Sequence, residues 1–280
     1  GDAGDGGPAA AGELSSPRDV AVDPLGTVYF SDQDNQRVRK LSLAAIAITA
    51  VVNAASGQPG AVAPGERVTI YGQGLGPAAG VAAPAPVAGF VGDVAGGTTV
   101  LFDGIAAPVT YASGGQANAI VPYGVATRSF TSIQIKVQGI SSGIYDVAVA
   151  VAAPGLFSTG ISGAGQGAIL NQDGSLNSAA NPAARGSVIS LFGTGEGQTN
   201  PQGVTGSVPA GVLPVPALDV KVSVAGEPAE ILYAGAAPGI AGVFQVNARI
   251  PDDIVPSASA PVALAVGSYG AQPGVTVAVN

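Results

Sequence analysis

Asp2, Asp5, Asp32 and Asp34 come closest to a chemical site by residue type and spacing. The segments Gly1-Asp2-Ala3-Gly4-Asp5-Gly6-Gly7 and Asp32-Gln33-Asp34-Asn35 gather the oxygen ligands that Ca²⁺ takes. Neither has the spacing of an EF-hand loop, and turns closed by Asp and Asn side chains account for the same residues. No metal and no cofactor is assigned, and these four aspartates are the calcium candidates. The wider inventory is narrow. The chain has no His, Cys, Met or Trp. Without His it lacks the commonest general base and the commonest transition-metal ligand, and without Cys it lacks a thiolate nucleophile and a disulfide. Ser-His-Asp hydrolases and His-ligated zinc enzymes are excluded. What is left for catalysis is a carboxylate pair, Lys or Tyr in a cleft, drawn from 18 Asp and Glu and 10 Lys and Arg. The expectation is a protein that is not an enzyme.

Two glycine-rich runs, Gly72-Gln73-Gly74-Leu75-Gly76 and Gly193-Thr194-Gly195-Glu196-Gly197, superficially match a dinucleotide loop. Neither is followed by the helix whose N-terminus must meet the phosphate, so both read as turns. The pairs Gln116/Asn118 and Gln245/Asn247 alternate on expected strands, which puts both amides of a pair on one face. Such a face binds a glycan or ties a strand to a loop. The tyrosines Tyr71, Tyr111, Tyr123, Tyr145, Tyr233 and Tyr269 are expected mostly in cores and corners.

The elements that must position these groups repeat. Val51-Val52-Asn53-Ala54-Ala55-Ser56 leads into Pro64-Gly65-Glu66-Arg67-Val68-Thr69-Ile70-Tyr71-Gly72-Gln73-Gly74-Leu75-Gly76. Leu176-Asn177-Ser178-Ala179-Ala180 leads into Ala184-Arg185-Gly186-Ser187-Val188-Ile189-Ser190-Leu191-Phe192-Gly193-Thr194-Gly195-Glu196-Gly197. Further on, Thr99 to Gly104 with Ala107-Pro108-Val109-Thr110-Tyr111 parallels Val220 to Gly226 with Ala229-Glu230-Ile231-Leu232-Tyr233. Then Gln116-Ala117-Asn118-Ala119-Ile120-Val121-Pro122 parallels Gln245-Val246-Asn247-Ala248-Arg249-Ile250-Pro251. Within each copy, runs such as Ser132-Ile133-Gln134-Ile135-Lys136-Val137 alternate with the period of a half-buried strand. Gly104, Gly139, Gly226 and Gly267 punctuate them. The fold class expected is all-β: two tandem immunoglobulin-like β-sandwiches at 47–157 and 158–280, preceded by a short orphan β-segment in 1–46. The halves should superpose with Tyr111 on Tyr233 and Asn118 on Asn247.

Charged residues make up 10% of the chain, well under the roughly 25% usual in soluble domains, and the net charge is −8. An acidic, weakly charged surface disfavours nucleic acid and favours self-association. The longest apolar run, Leu43 to Val52, is too short to span a bilayer. A chain that starts at Gly1 and contains no Met is expected to be a processed product or a fragment, with any signal peptide or upstream segment removed.

Residues 14–41 resemble one NHL repeat, a β-propeller blade motif, through Leu14, Ser16-Pro17-Arg18, Val20-Ala21-Val22-Asp23, Gly26, Val28-Tyr29, Asp32, Asn35 and Arg37-Val38-Arg39. The lead-in Gly4 to Ala9 resembles a linker between blades. Residues 48–280 resemble the paired C-terminal β-domain that follows NHL propellers in secreted acidobacterial proteins. Val52 to Ser56, Ala63-Pro64-Gly65-Glu66, Tyr71 to Pro77, Asn177-Ser178, Gly193 to Gly197 and Gln245-Val246-Asn247 carry this likeness, and the individual halves look like IPT/TIG-type folds. The resemblance implies an exported protein with no catalytic role.

One blade cannot close a propeller. Its bare strands and uncharged face are therefore expected to be satisfied by another copy through strand addition, giving a head-to-tail polymer. The residues assigned to self-assembly are Val20, Val22, Val28, Phe30, Ile46, Ile48 and Val51. The function expected is a secreted structural or adhesive subunit of an extracellular filament or surface assembly, with a glycan or cell-surface partner as a further possibility. The alternative is a carbohydrate- or protein-binding module released from a larger NHL-propeller protein.

Overall fold

A computed structural model describes residues 1, 3, 12–23, 27–41, 46–160 and 162–280. The chain divides into two compact units, Gly1–Ala45 and Ile46–Asn280. The calcium candidates Asp2 and Asp5, the lead-in at 4–9 and the first residues of the run from Leu43 lie outside the described residues.

The first unit holds three antiparallel strands, β1 (Pro17–Val22), β2 (Val28–Asp32) and β3 (Arg37–Leu41), in the order β1-β2-β3. Register places Val20 opposite Phe30 and Val22 opposite Val28, with Leu41 beyond Val28. Residues opposite one another share a face, so these five apolar side chains lie on one face together with Arg39, which stands opposite Phe30. All six residues of β1 are exposed. At one end of the sheet Asp32 lies buried beside Arg39, its Oδ1 accepting from the Ser15 N–H at 2.7 Å and its Oδ2 from Asn35 Nδ2 at 2.8 Å.

The second unit contains two sandwiches. The first is built from β4 (Ala47–Asn53), β5 (Arg67–Gln73), β6 (Val81–Ala82), β7 (Val94–Ala95), β8 (Thr98–Phe102), β9 (Ile105–Ala107), β10 (Val109–Ala112), β11 (Gln116–Ile120), β12 (Phe130–Val137), β13 (Ile140–Ser141) and β14 (Tyr145–Ala148). One sheet runs β4-β5-β11-β10-β6. The other runs β13-β12-β8-β7, with β14 on β12 and β9 on β8. Between them lie Val68, Ile70, Val100, Phe102, Val109, Ile133 and Ile135, all fully buried. Their alternation with exposed neighbours follows from the two-residue strand period.

The second sandwich comprises β15 (Gly155–Leu156), β16 (Gly165–Gln166), β17 (Val188–Thr194), β18 (Thr199–Asn200), β19 (Val215–Pro216), β20 (Val220–Val224), β21 (Glu227–Pro228), β22 (Glu230–Ala236), β23 (Phe244–Arg249), β24 (Ser257–Val266), β25 (Tyr269–Gly270) and β26 (Val275–Val279). Its sheets run β15-β17-β23-β22 and β16-β26-β24-β20-β21, with β25 on β24, and β18 and β19 form a separate ribbon. Ile189, Leu191, Val224, Phe244, Val246 and Val277 fill the core.

The two sandwiches share one strand plan. β5-β11-β10 corresponds to β17-β23-β22, and β8-β12 with β9 and β13 corresponds to β20-β24 with β21 and β25. Tyr111 pairs with Asn118 and Tyr233 with Asn247, each beside a register shift in the same strand. In both copies the glutamine amide donates to the asparagine carbonyl two residues on, Gln116 to Asn118 and Gln245 to Asn247, at 2.8 Å each. Each amide pair is thus bonded within its own strand. The tyrosines differ from expectation. Tyr71 and Tyr269 are exposed and the other four are half-buried. Their hydroxyls need a partner or water, as where Tyr233 Oη donates to the Ala236 carbonyl at 2.8 Å. The described residues include no α-helix, and none is long and apolar enough to cross a membrane.

Candidate functional site

Two buried carboxyl-bearing side chains, Glu66 and Glu196, lie where the two sandwiches meet. From the first sandwich come Asn53 at the end of β4, Gly65-Glu66-Arg67 at the start of β5, and Tyr123 in a 3₁₀ turn (Tyr123–Val125). From the second come Thr194 and Glu196 at the end of β17, the loop 198–209, and Ala241-Gly242 before β23. Hydrogen bonds cross the seam at several points. The Arg67 N–H donates to Thr194 Oγ1 at 2.7 Å, and Arg67 Nε to the Ala241 carbonyl at 2.8 Å. The Tyr123 N–H donates to Thr205 Oγ1 at 3.1 Å. Val91 N–H meets the Gly206 carbonyl, and Val208 N–H the Gly89 carbonyl, around a short bridge of Phe90 to Ser207.

Asn53 fixes the connecting segment. Its Oδ1 accepts from the N–H groups of Ala55 and Ser56, and its Nδ2 donates to the Ala153 carbonyl at 2.9 Å. Ala153 in turn donates its N–H to the Gly195 carbonyl. A side chain on Gly195 would strike the Ala153 carbonyl at 2.0 Å, and its φ of +85° already requires glycine. Asn53→Ala leaves two buried N–H groups and a carbonyl unpaired. It is expected to cost about 2–3 kcal/mol of unfolding free energy in a urea titration.

Two carboxyl groups are buried in this seam. Glu66 is 1% exposed and Glu196 is 4% exposed. Burial pushes Glu66 up to about 8 and the neighbouring Glu196 pushes the same way, while the Ala63 N–H and the Asn53 amide oppose the rise. Burial pushes Glu196 up to about 7. Glu196 Oε2 and Gln198 Oε1 have no hydrogen-bond partner among the described residues. Burial, reinforced by Glu196, also raises the Tyr123 phenol. Tyr123 and Glu196 border a cleft of about 450 Å³ whose walls include Phe90, Thr199, Val204 and Val243. A buried carboxyl pair beside a tyrosine holds and exchanges protons; its oxygens also accept from a donor that enters the cleft.

The strand order from β4 to β14 is that of a single immunoglobulin-like sandwich, and the comparison with known families falls on the same stretch. Residues 50–149 match the family model of the IPT/TIG domain. The first sandwich is thus of IPT/TIG immunoglobulin-like type, and the second repeats its strand plan outside the matched residues. No curated protein matches the chain. Among solved structures, the full extracellular region of plexin A4, domains 1 to 8, is 13% identical with a TM-score of 0.29, covering 84% of this chain and 18% of that one. The I9–I11 tandem from titin is 10% identical with a TM-score of 0.23, covering 91% and 74%. Domains 4–9 of the surface layer protein SbsC are 12% identical with a TM-score of 0.25, covering 90% and 34%. The chain therefore spans less than a fifth of the plexin region.

Of the seven self-assembly residues, Val20 and Val22 are 70% and 63% exposed, and Val28 and Phe30 are partly exposed on the same face. Ile46, Ile48 and Val51 differ from expectation. They pack on the core of the IPT/TIG sandwich, because β4 pairs along its length with β5 and completes that sheet. Of the calcium candidates, Asp32 is held by Ser15, Asn35 and Arg39, and Asp34 accepts from the hydroxyls of Ser15 and Ser16. No group of three or more acidic side chains gathers among the described residues. The glycine-rich runs begin in the strands, with Gly72-Gln73 ending β5 and Gly193-Thr194 ending β17, and leave them at Gly74 and Gly195, both with positive φ.

Glu66, Glu196 and Tyr123 carried no site role in the sequence reading. Their signal lies in mismatches between the copies. Leu75, fully buried, occupies the turn position of Glu196, and Ser187 that of Glu66. Asp252 sits against Gly186 where Tyr123 sits against Gly65.

Proposed function

We propose that this chain is a non-enzymatic structural or adhesive subunit at the cell exterior. The tandem sandwiches form its body, and the N-terminal β-sheet is the element that joins copies. The observation that carries this reading is β1, exposed at all six residues with Val20 and Val22 on one face. A sheet edge and an apolar face of this kind are templates for another chain. Pairing of that sheet with a sandwich of the next copy is heterologous, so its repetition gives an open filament. The likeness of residues 14–41 to an NHL blade fits an element built to be covered on its face. The low charged fraction, 10%, and the likeness of residues 48–280 to domains of secreted proteins also support an exported, self-associating protein.

The test compares the full chain with one beginning at Ile46, which keeps all of β4 and both cores. Sedimentation velocity is expected to show large species for the full chain and a monomer for the shortened one. Equal assembly by both removes the N-terminal sheet from the account. A second reading, a carbohydrate- or protein-binding module, is favoured by the cleft at Tyr123 and Glu196. Under it both chains stay monomeric and bind a glycan array, and Tyr123→Ala abolishes that binding.

A further inference from the structure

The seam brings together two buried carboxyl groups, one from each sandwich, and no basic side chain acts on either. We propose that Glu66 and Glu196 form a proton-operated latch: with both carboxyls neutral the sandwiches are held at one fixed angle, and ionisation of the pair loosens the seam and lets them swing.

The geometry supplies each part. Glu66 Oε2 accepts from the Ala63 N–H at 2.6 Å, and the Glu66 carboxyl also bonds to Asn53, the residue that grips the connecting segment through the Ala153 carbonyl. Glu196 follows Gly195, whose carbonyl takes the Ala153 N–H. The two acids therefore stand on either side of the same connection. The matching turn of the first sandwich carries Leu75, which is 0% exposed, so the turn itself does not call for an acid. A buried carboxyl with an unpartnered Oε2 is a cost to the fold. Its presence where the two sandwiches meet is explained when its charge state does the work.

The other titratable groups of the seam offer no relief. On β5, Arg67 directs its Nε to the Ala241 carbonyl. On the 3₁₀ turn, the Tyr123 phenol is held neutral by burial and by Glu196. The facing loop presents Thr199 and Thr205, which are uncharged, and no basic side chain acts on either carboxyl. Two carboxylates in a medium of low dielectric repel and draw water. The raised affinities of both groups for a proton place the change between neutral and mildly alkaline pH. Net association through the N-terminal sheet plays no part in this, so the latch stands or falls separately from the proposed assembly.

The chain has no cysteine, so the full-length protein takes two site-specific spin labels, at Lys136→Cys and Asp253→Cys, one on each sandwich. The distance distribution is read at about pH 5 and about pH 9, with circular dichroism as the check on the strands. The expected result is a single narrow peak at the acid pH and a broad distribution at the alkaline pH, with the strand signal unchanged. In the Glu66→Gln/Glu196→Leu protein the peak stays narrow at both. Glu66→Gln/Glu196→Gln gives the same result where leucine disturbs folding. A peak that stays narrow at alkaline pH in the parent chain overturns the latch. So does broadening that persists in the neutralised variants, or loss of the strand signal together with the broadening.

Discussion

Raising the pH from about 5 to about 9 is expected to lower the unfolding free energy by several kcal/mol, the reverse of the usual behaviour of carboxylates in proteins. The sign follows from the direction of the shifts. Glu66 and Glu196 bind a proton more tightly in the folded chain than in the unfolded one, with values of about 8 and about 7 against 4.5. Below the unfolded value both states are protonated and the fold keeps its full stability. Above it the unfolded chain releases protons that the folded chain holds, so stability falls through the neutral range and levels off once the folded pair ionises. At roughly 1.4 kcal/mol per unit, Glu66 alone corresponds to something on the order of 4 kcal/mol. Opening of the seam caps the loss at what the seam contributes. Guanidinium titrations across this range measure it. The Glu66→Gln/Glu196→Leu protein is expected to show a nearly flat profile, and a parent profile that rises toward alkaline pH contradicts the burial argument.

Truncating Tyr123 is expected to be the most damaging single change in the seam. Its ring lies between Gly65 and Gly203, so closely that a Cβ on Gly203 would stand 2.1 Å from Tyr123 Cζ and one on Gly65 2.5 Å from Tyr123 Oη. Tyr123→Ala removes an aromatic plug from between the sandwiches and is expected to cost about 3–4 kcal/mol. Gly203→Ala forces the same ring out and is expected to cost a similar amount in the parent chain. In the Tyr123→Ala background the added methyl meets open space and should be close to neutral. The cycle thus predicts a coupling of about 3–4 kcal/mol. Additive losses would mean that Gly203 matters for another reason.

The repeat was readable because its determinants are local. Alternating strands, turn glycines and the Gln-x-Asn pair are written within a few residues of one another, and the register Tyr111–Asn118 and Tyr233–Asn247 follows from them. The seam was not readable in the same way. Whether Glu66 is a surface acid or a buried one depends on the second sandwich more than a hundred residues away, and no periodicity carries that information. The clue available was comparative: an acid where the sister turn has Leu75, and a tyrosine where the sister loop has Asp252. The run from Leu43 misled for a related reason. An uncharged strand looks the same whether it completes its own sheet, as β4 does, or another chain's.

Electron microscopy of the purified full-length chain tests the central claim most directly. The account predicts ordered filaments of uniform width, absent from preparations that begin at Ile46. Dispersed single particles of the full chain, at concentrations where the sandwiches are folded, would contradict it.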